Sequence, residues 1–175
     1  MHSGGAASDA SDSGAVLRIS GIARESVVDG PGIRLTVFVQ GCAHACPGCH
    51  NPQTHALDGG SEISCGEVIA MARQNPLLDG LTFSGGEPFL QARALCALAR
   101  LARAEGYDIV TYTGYTLEQI LEHEATPGDG FMELLRETRL LVDGPYVQTL
   151  RTLDAPFKGS SNQRIIDVAA ALRGK

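Results

Sequence analysis

Short apolar runs recur along the chain, each bounded by glycine, proline or polar residues. The clearest is Ile33 to Val39 (IRLTVFV), which is rich in β-branched and aromatic residues and therefore predicts a strand. Its nearly continuous apolar character is typical of a strand covered on both faces, as in a parallel sheet. Similar runs predict strands that begin near Ala15 and lie at Leu81–Phe83, Asp108–Thr113, Arg139–Val142 and Arg164–Val168.

Helix signals fall between these strands. A Ser or Thr followed three residues later by Glu or Gln is a capping box, and this pattern predicts helices that start after Ser64 and Thr116. Pro88 and Gly106 suit the first turn and the end of another helix, with leucines and alanines recurring along one face between them. A short helix is also predicted over 131–138. Strands that alternate with helices in this way predict parallel βα units.

The first residues of the chain differ from the rest. Residues 1–14 are small and polar, which predicts a disordered tail, followed by a single folded domain over 15–175. A complete eight-unit βα barrel needs about 200 residues at least, and the roughly 160 residues after the tail cannot close one. We therefore expect an α/β fold, an open partial (β/α) barrel of parallel strands. An open side would admit a piece of another protein.

Composition and charge exclude several classes of partner. The formal net charge is −6, from 14 Lys and Arg against 20 Asp and Glu, and there is no basic run, so we expect neither nucleic acid nor membrane as a partner. No apolar stretch approaches the roughly 20 residues that span a bilayer, and we find no secretory signal pattern. The 5 cysteines are mostly clustered, unlike a secreted disulfide framework. A reducing cytoplasm is the expected compartment, because thiolate ligands must stay reduced to hold metal.

Three of the cysteines are concentrated in the segment Gly41 to Thr54 (GCAHACPGCHNPQT). Cys42, Cys46 and Cys49 have the spacing C-x3-C-x2-C, and the prolines and glycine around them predict an irregular loop at the end of a strand. Because such a loop lets three thiolates converge, the pattern predicts a metal or iron–sulfur ligand set. A four-iron cubane with three cysteine ligands keeps one iron open to an outside ligand.

The spacing alone leaves two kinds of metal centre open. One is a [4Fe–4S] cluster on the three cysteines. The other is zinc with His44, His50 or His55 as a fourth ligand, because soft thiolates suit either metal. The zinc interpretation would make the chain a non-catalytic, zinc-binding interaction module.

A glycine pair in the next βα unit favours the cluster. The segment GGEP at 85–88 follows a predicted strand and opens a helix, where consecutive glycines let a ligand approach the backbone closely. The N–H and C=O groups freed there would pair with a zwitterionic amino acid, and Glu87 would accept from its ammonium group. A Gly-Gly pair alone usually marks a turn, but this one lies one βα unit after a three-cysteine loop.

The combination of C-x3-C-x2-C and GGEP resembles the radical S-adenosylmethionine (SAM) enzymes. The preceding segment Gly30–Arg34 (GPGIR) resembles the members that activate glycyl-radical enzymes. More narrowly, the chain is similar to the activating proteins of anaerobic (class III) ribonucleotide reductases, from about Ile19 to Val168. The matching blocks, in the family's order, are DGPGIR, GCAHACPGCHN, FSGGEP, TYTGYTLEQI, LVDGPYVQ and FKGSSNQR.

The resemblance implies a radical SAM fold and a set of site residues. Cys42, Cys46 and Cys49 would hold a [4Fe–4S] cluster whose fourth iron is chelated by the amino and carboxylate groups of SAM. The positions implied to bind the cofactor are Gly48, His50, Asn51, Gly85, Gly86, Glu87, Thr111 and Thr113. No side chain is expected to act as a general acid or base.

The resemblance also implies the reaction and the partners. One electron from the reduced cluster would cleave SAM to methionine and a 5′-deoxyadenosyl radical. That radical would take a hydrogen atom from a glycine of anaerobic ribonucleotide reductase, while the protein positions the reactants and excludes water. The implied electron donor is a reduced flavodoxin- or ferredoxin-type protein. An activase of another glycyl-radical enzyme, of the formate-lyase type, is the alternative.

Three further positions and one segment stand out beside the resemblance. His55 stands where related sequences often carry a bulky aromatic such as Trp. Cys65 and Cys96 lie in predicted helices, and we do not expect them to bind the cluster. The polar segment Lys158 to Arg164 (KGSSNQR) shows no local structural reason for its composition, so we expect it to contact the partner or shield the site.

Overall fold

The computed structural model describes residues 11–126 and 128–174. Within these ranges the strands are β1 (Val16–Ser26), β2 (Arg34–Val39), β3 (Ser61–Ser64), β4 (Gly80–Gly85), β5 (Asp108–Tyr112), β6 (Leu140–Asp143) and β7 (Arg164–Asp167). The α-helices are α1 (Cys65–Ala72), α2 (Ala92–Ala104), α3 (Leu117–Glu122), α4 (Phe131–Glu137) and α5 (Val168–Arg173). Short 3-10 helices lie at Pro52–Thr54, Pro88–Gln91, His123–Ala125 and Gln148–Leu150.

The described strands form one mixed sheet in the order β3-β1-β2-β4-β5-β6-β7. Strands β2, β4, β5 and β6 are parallel, as predicted. The expectation of parallel strands is wrong at the flanks, where β1, β3 and β7 pair antiparallel with their neighbours. The connection between β1 and β2 covers only 27–33, which is too short for the crossover of a dozen or more residues that parallel strands need.

The two faces of the parallel strands are covered differently. Alternation along β2 directs Leu35, Val37 and Val39 into the hydrophobic core beneath the helices, together with Leu81 and Phe83 of β4. The opposite face is more polar, because the alternate positions of β2 are Arg34, Thr36 and Phe38. The prediction that β2 is covered on both faces is confirmed, because Arg34 and Thr36 on this second face are also fully buried. One face packs on helices, and the other lines an interior with polar groups.

Helix boundaries follow the predicted signals closely. Capping boxes with both reciprocal hydrogen bonds start α1 at Ser64 and α3 at Thr116, as predicted. Gly106, with φ of 90°, follows the end of α2. Pro88 opens a 3-10 turn, and the α-helix itself starts only at Ala92. These turns place the strand ends at fixed positions relative to the helices.

The N-terminal boundary of the described structure lies within the predicted tail. Residues 1–10 of that tail lie outside the described residues, and 11–13 form a helical turn. In that turn Asp12 pairs with Arg100 of α2, with 2.8 Å between Oδ2 and Nε. Across the described residues, every helix is too short or too polar to cross a membrane.

Candidate active site

A cleft of about 340 Å³ opens at the carboxyl edge of the parallel strands. It is lined by segments that follow β2, β4, β5 and β6, at the edge where ligands bind in α/β sheets. Its lining includes most of the residues predicted from the sequence: Cys42, Cys46, Cys49, His50, Asn51, Gly85, Gly86, Glu87 and Thr113. The fold therefore brings the cysteine loop and the glycine turn to one place.

The cysteine loop is closed at its base by backbone hydrogen bonds. After β2, the Gly41 N–H donates to the Thr54 carbonyl at 2.8 Å, and the Cys42 N–H donates to the His55 carbonyl at 3.2 Å. The Gln40 amide adds a bond of 2.7 Å to the carbonyl of Ala56. The loop thus leaves and returns at the same point, which holds its cysteines over the end of β2.

The three thiols are partly exposed, and none is in a disulfide. Burial raises the pKa of the Cys42 thiol, and the carboxylate of Glu87 adds a smaller upward contribution. Backbone N–H groups of the loop oppose this by donating to the sulfur. The Asn51 N–H likewise points at Cys49 Sγ, at 3.4 Å. Metal coordination deprotonates a thiol outright, so the raised pKa of Cys42 describes the metal-free loop.

The glycine turn packs directly on the backbone that follows β2. The Gly86 N–H donates to the Val39 carbonyl and the Glu87 N–H to the Gly41 carbonyl, both at 2.8 Å. A Cβ atom at Gly86 would lie 2.3 Å from the Gly41 oxygen, so only glycine fits there. Both N–H groups are thus occupied within the chain. The expectation that they are free for an amino-acid ligand is wrong.

The Glu87 carboxylate is 1% exposed and is saturated by the protein itself. Its Oε1 accepts from the Phe89 N–H and the Thr113 hydroxyl, both at 2.9 Å. Its Oε2 accepts from the Gly114 N–H at 2.8 Å and lies 2.8 Å from His44 Nε2. The bond to Glu87 raises the pKa of His44, while burial opposes this rise. The carboxylate therefore joins segments of the site. The expectation that it accepts from an ammonium group is wrong, because both of its oxygens are engaged by the protein.

Comparison with known proteins assigns the family. Residues 28–166 match a family described as a 4Fe-4S single cluster domain. The anaerobic ribonucleoside-triphosphate reductase-activating protein of Escherichia coli (strain K12) is 36% identical over 149 residues, covering 78% of this chain and 90% of that protein. The chain belongs to the radical SAM activase family.

Other proteins similar to this activase differ in how much they share with it. The anaerobic ribonucleoside-triphosphate reductase-activating protein of Enterobacteria phage T4 is 32% identical over 145 residues, or 79% of this chain and 86% of that protein. The pyruvate formate-lyase-activating enzyme of Clostridium pasteurianum is 40% identical over 115 residues, or 61% of this chain and 48% of that enzyme. QueE from Escherichia coli aligns in structure over 66% of this chain and 58% of its own with a TM-score of 0.48 and 20% identity, too low a likeness to carry a conclusion.

The donor set of this radical SAM activase fits an iron–sulfur cluster. Three thiols line one cleft and retain the partial exposure that an added group needs. Across 11–126 and 128–174, no three His, Cys, Asp or Glu side chains converge on a position for a single metal ion. A [4Fe–4S] cluster does not need such a point, because each cysteine binds a different iron. The zinc ligand set considered from the sequence is not assembled in this structure.

Two positions predicted to bind the cofactor do not line the cleft. The side chain of Thr111 is fully buried and hydrogen-bonds to the Thr138 hydroxyl at 2.8 Å. Alternation along β5 explains this, because Thr111 shares the helix-covered face with Ile109, whereas Tyr112 points to the cleft. Gly48 lies against the side chain of Gln148, 2.7 Å from where a Cβ atom would be. Neither Thr111 nor Gly48 lines the cleft in this structure, and a cofactor contact at either position stays a prediction.

The histidines of the cysteine loop have separate environments. His50 lies against Tyr146, with ring centroids 4.8 Å apart. His55 has a buried Nε2 that lacks a hydrogen-bond partner among the described residues. A buried ring nitrogen without a partner is unfavourable, so an apolar aromatic side chain would suit this position. His44 was considered from the sequence only as a zinc ligand. Its contact with Glu87 was not predicted, because the two residues are 43 positions apart in the sequence.

A segment between β6 and β7 closes one side of the cleft, and we call residues 147–163 the strap. Thr152, Leu153, Phe157, Lys158, Gly159 and Gln163 of the strap line the cleft. Its polar residues do have structural partners: the Gln163 side chain bonds to Gly159 N–H and the Gly144 carbonyl, and Asn162 donates to the Pro145 carbonyl. The expectation that Lys158 to Arg164 has no local structural reason for its polarity is wrong for Gln163, which accepts from the nearby Gly159. That the segment contacts the partner or shields the site stays a prediction. The strap is fastened to the loop after β6.

Proposed function

We propose that this chain cleaves SAM reductively at a [4Fe–4S] cluster held by Cys42, Cys46 and Cys49 and generates a glycyl radical on anaerobic ribonucleotide reductase. The observation that carries the proposal is the direct contact between the cysteine loop and the glycine turn, made by the 2.8 Å bond from Glu87 N–H to the Gly41 carbonyl. A cluster and a sulfonium can react only if they are held next to each other. When bound, the cluster supplies the electron and SAM supplies the carbon–sulfur bond that this electron breaks.

The architecture supports the proposal at the level of the fold. Strands β3 and β7 are the two edges of the sheet, so the described strands leave one side open. We infer that the sheet is the open partial (β/α) barrel of the radical SAM type. Its polar interior face and its cleft at the carboxyl edge are the arrangement that such a site requires.

Within this cleft the chain's own groups divide the work. The N–H groups of the glycine turn and the carboxylate of Glu87 are engaged, so we assign the methionine end of SAM to the carbonyl groups of Gly85 and Gly86. His50 and Asn51, directly after the last cysteine, line the cleft and are the proposed neighbours of the adenosyl part. Phe38 supplies an apolar wall that helps to exclude water.

The rim of the cleft supports a protein as the final substrate. Val28 and Leu153 line the cleft although they are 71% and 86% exposed. Two large apolar side chains held in water at the mouth of a site are typical of a surface that another protein covers. We propose anaerobic ribonucleotide reductase as that protein because the activating proteins named for it match this chain over 90% of their own length. The proposed electron donor is a reduced flavodoxin- or ferredoxin-type protein in a reducing cytoplasm.

A second candidate is the activation of a formate-lyase-type enzyme. The identity of 40% with the Clostridium pasteurianum activating enzyme favours it, but the match covers 48% of that enzyme. The two candidates share the cleft and the chemistry and differ only in the partner. Which partner acquires the radical decides between them.

The proposal is tested by anaerobic reconstitution of the protein with iron and sulfide. After reduction, we expect a brown protein that converts SAM to 5′-deoxyadenosine and methionine, and a glycyl doublet in the electron paramagnetic resonance (EPR) spectrum when ribonucleotide reductase is added. Cys46→Ala should lose both iron and SAM cleavage. Cys96→Ala is the matched control, because that thiol is buried in α2 away from the cleft and its loss should leave the iron content unchanged. A colourless zinc protein without acid-labile sulfide, or SAM cleavage by Cys46→Ala, would contradict the proposal.

A further inference from the structure

A side chain between the first two cysteines of the loop reaches the glycine turn. Backbone hydrogen bonds fasten the base of the loop at Gly41 and Cys42. Between Cys42 and Cys46, and within the described part of the chain, no backbone bond links residues 43–45 to another segment. His44 lies in this stretch, and its Nε2 reaches Glu87 Oε2 at 2.8 Å. The contact therefore fixes a part of the loop that its base does not.

The carboxylate that His44 reaches is itself immobile. Glu87 is 1% exposed, and its other hydrogen bonds come from its own turn and from the segment that follows β5. A buried carboxylate with fixed donors keeps its position, because moving it would leave buried groups unpaired. Glu87 is thus a fixed anchor for the loop.

The imidazole ring of His44 is confined on two sides. A Cβ atom at Gly114 would lie 2.5 Å from Cδ2 of the ring, so the ring packs on the bare backbone of the segment after β5. The Tyr115 ring meets it edge to face, with centroids 4.7 Å apart. The side chain is 21% exposed, which leaves it at the wall of the cleft and not in the core. Position and orientation are both set by neighbours.

We propose that His44 is a positioning residue that sets the spacing between the three cysteines and the Gly85–Glu87 turn through its hydrogen bond to Glu87. The inference rests on the proposed function, which puts the cluster on the cysteines and the methionine end of SAM on the turn. His44 touches neither group in this inference. It holds the two parts of the site that must bring them together.

The inference predicts a loss of alignment without a loss of the cluster. His44→Leu keeps apolar volume but removes the donor, so the loop base should still deliver three thiolates while their spacing from the turn relaxes. A misplacement of about 1 Å costs on the order of a hundredfold in rate, so we expect SAM cleavage per cluster to fall about tenfold to a hundredfold. The change in the EPR spectrum of the reduced cluster on adding SAM should weaken in parallel. His44→Gln, which retains a donor, should recover most of both.

A measurement on the metal-free protein separates this inference from the proposed function. The loss of the His44 bond should raise the rate of iodoacetamide alkylation at Cys46 several-fold in His44→Leu, and not in His44→Gln. The buried Cys65 and Cys96 are internal references in the same digest. His123→Ala is the matched control, because it removes another histidine–carboxylate pair, with Asp129, that does not line the cleft.

The possible results distinguish the two ideas. If the wild type cleaves SAM and His44→Leu matches it in cleavage and alkylation, the positioning role is wrong and the proposed function stands. If His44→Gln is as impaired as His44→Leu, the hydrogen bond is not the cause, and the inference is also wrong. If the wild type binds no cluster but alkylation still follows the variants as predicted, the contact holds the loop and the proposed function falls.

Discussion

A buried arginine at the amino edge of the parallel strands and a buried glutamate at their carboxyl edge have different roles. Arg34, fully buried at the amino edge, donates to the Leu81 carbonyl at 2.6 Å and to the Thr82 hydroxyl at 3.1 Å, and pairs with Asp108 at 2.5 Å. Glu87, buried at the carboxyl edge, is surrounded by donors from three segments. Both residues obey the rule that a buried charge must be paired and hydrogen-bonded.

The two buried charges differ in which parts of the chain supply their hydrogen-bond partners. Those of Arg34 come mainly from the neighbouring strands β4 and β5, so the guanidinium fastens the sheet to itself. The partners of Glu87 come from loops and turns, including the cysteine loop through His44. One edge of the sheet therefore depends on its buried charge for stability, and the other depends on its buried charge for the shape of the cleft.

The largest expected effect is at the amino edge. Arg34→Met leaves buried acceptors on β4 without a donor and separates Asp108 from a partner, so the free energy of unfolding should fall by about 3 kcal/mol or more. Urea unfolding of the metal-free protein measures this. Arg103→Met removes an ion pair with Glu137 in which the Arg103 side chain is 54% exposed, and it should cost much less. Equal losses in the two variants would show that Arg34 is not what fastens this edge.

At the carboxyl edge the corresponding change is Glu87→Gln. An amide must turn an NH₂ group towards the N–H of Phe89 or Gly114, which leaves a buried donor unpaired and should cost about 2 kcal/mol in the free energy of unfolding. We also expect SAM cleavage to fall by at least about tenfold, because the loop and the turn lose their common anchor. The Glu137→Gln variant is the control, since its partner Arg103 lies away from the cleft. A Glu87→Gln protein that is less stable but fully active would place Glu87 with Arg34 as purely structural.

Local signals explain which features the sequence predicted. Helix caps at Ser64 and Thr116 depend on residues three positions apart, and both were found where the pattern put them. The cysteine loop was located correctly at the end of a strand because prolines and glycine within the loop itself break regular structure. Strand β3 was not predicted, because its four residues, SEIS, carry a single apolar side chain and depend on pairing with β1.

Contacts between distant segments explain most of the rest. The engagement of the Glu87 carboxylate could not be read from GGEP, since two of its four donors come from the segment after β5 and a third is His44. The polarity of the strap likewise reflects bonds to the Gly144 and Pro145 carbonyls. Thr111 is different: the alternation along β5 was available in the sequence and places it on the face of Ile109. The family resemblance predicted a cofactor contact at Thr111, whereas the two-residue period of the strand turns its side chain away from the cleft.

Two threonines at the end of β5 sharpen the comparison. Thr113→Val removes a hydroxyl that donates to Glu87, whereas Thr111→Val removes one that bonds to Thr138 under the helices. Each should lower the free energy of unfolding by about 1 kcal/mol. Only Thr113→Val should also lower the rate of SAM cleavage, by several-fold, because only its hydroxyl supports the anchor of the loop. If Thr111→Val weakens SAM binding instead, the cofactor contact implied by the family resemblance is right and the assignment from strand alternation is wrong.

The smallest expected effect comes from an ion pair exposed to water. It serves as a reference for the buried charges of Arg34 and Glu87. Arg164 on β7 pairs with the buried Asp143 and also with Glu118, whose side chain is 65% exposed. The guanidinium holds the pKa of Glu118 at about 2, below its ordinary value of 4.5. A lowered folded-state pKa means that the stabilisation is present above about pH 4.5 and is lost as the pH falls towards 2.

Because water screens this pair, Glu118→Gln should lower the free energy of unfolding at pH 6 by less than about 1 kcal/mol. The difference from the wild type should shrink at pH 3, where the unfolded-state carboxyl is already protonated and the pair gives only part of its stabilisation. Urea unfolding of both proteins at the two pH values measures the change. A difference that stays constant with pH would mean that Glu118 contributes through the packing of α3 and not through its charge. A loss as large as that expected for Glu87→Gln would show that exposure does not weaken a charge at this sheet, and the contrast between the two edges would lose its physical basis.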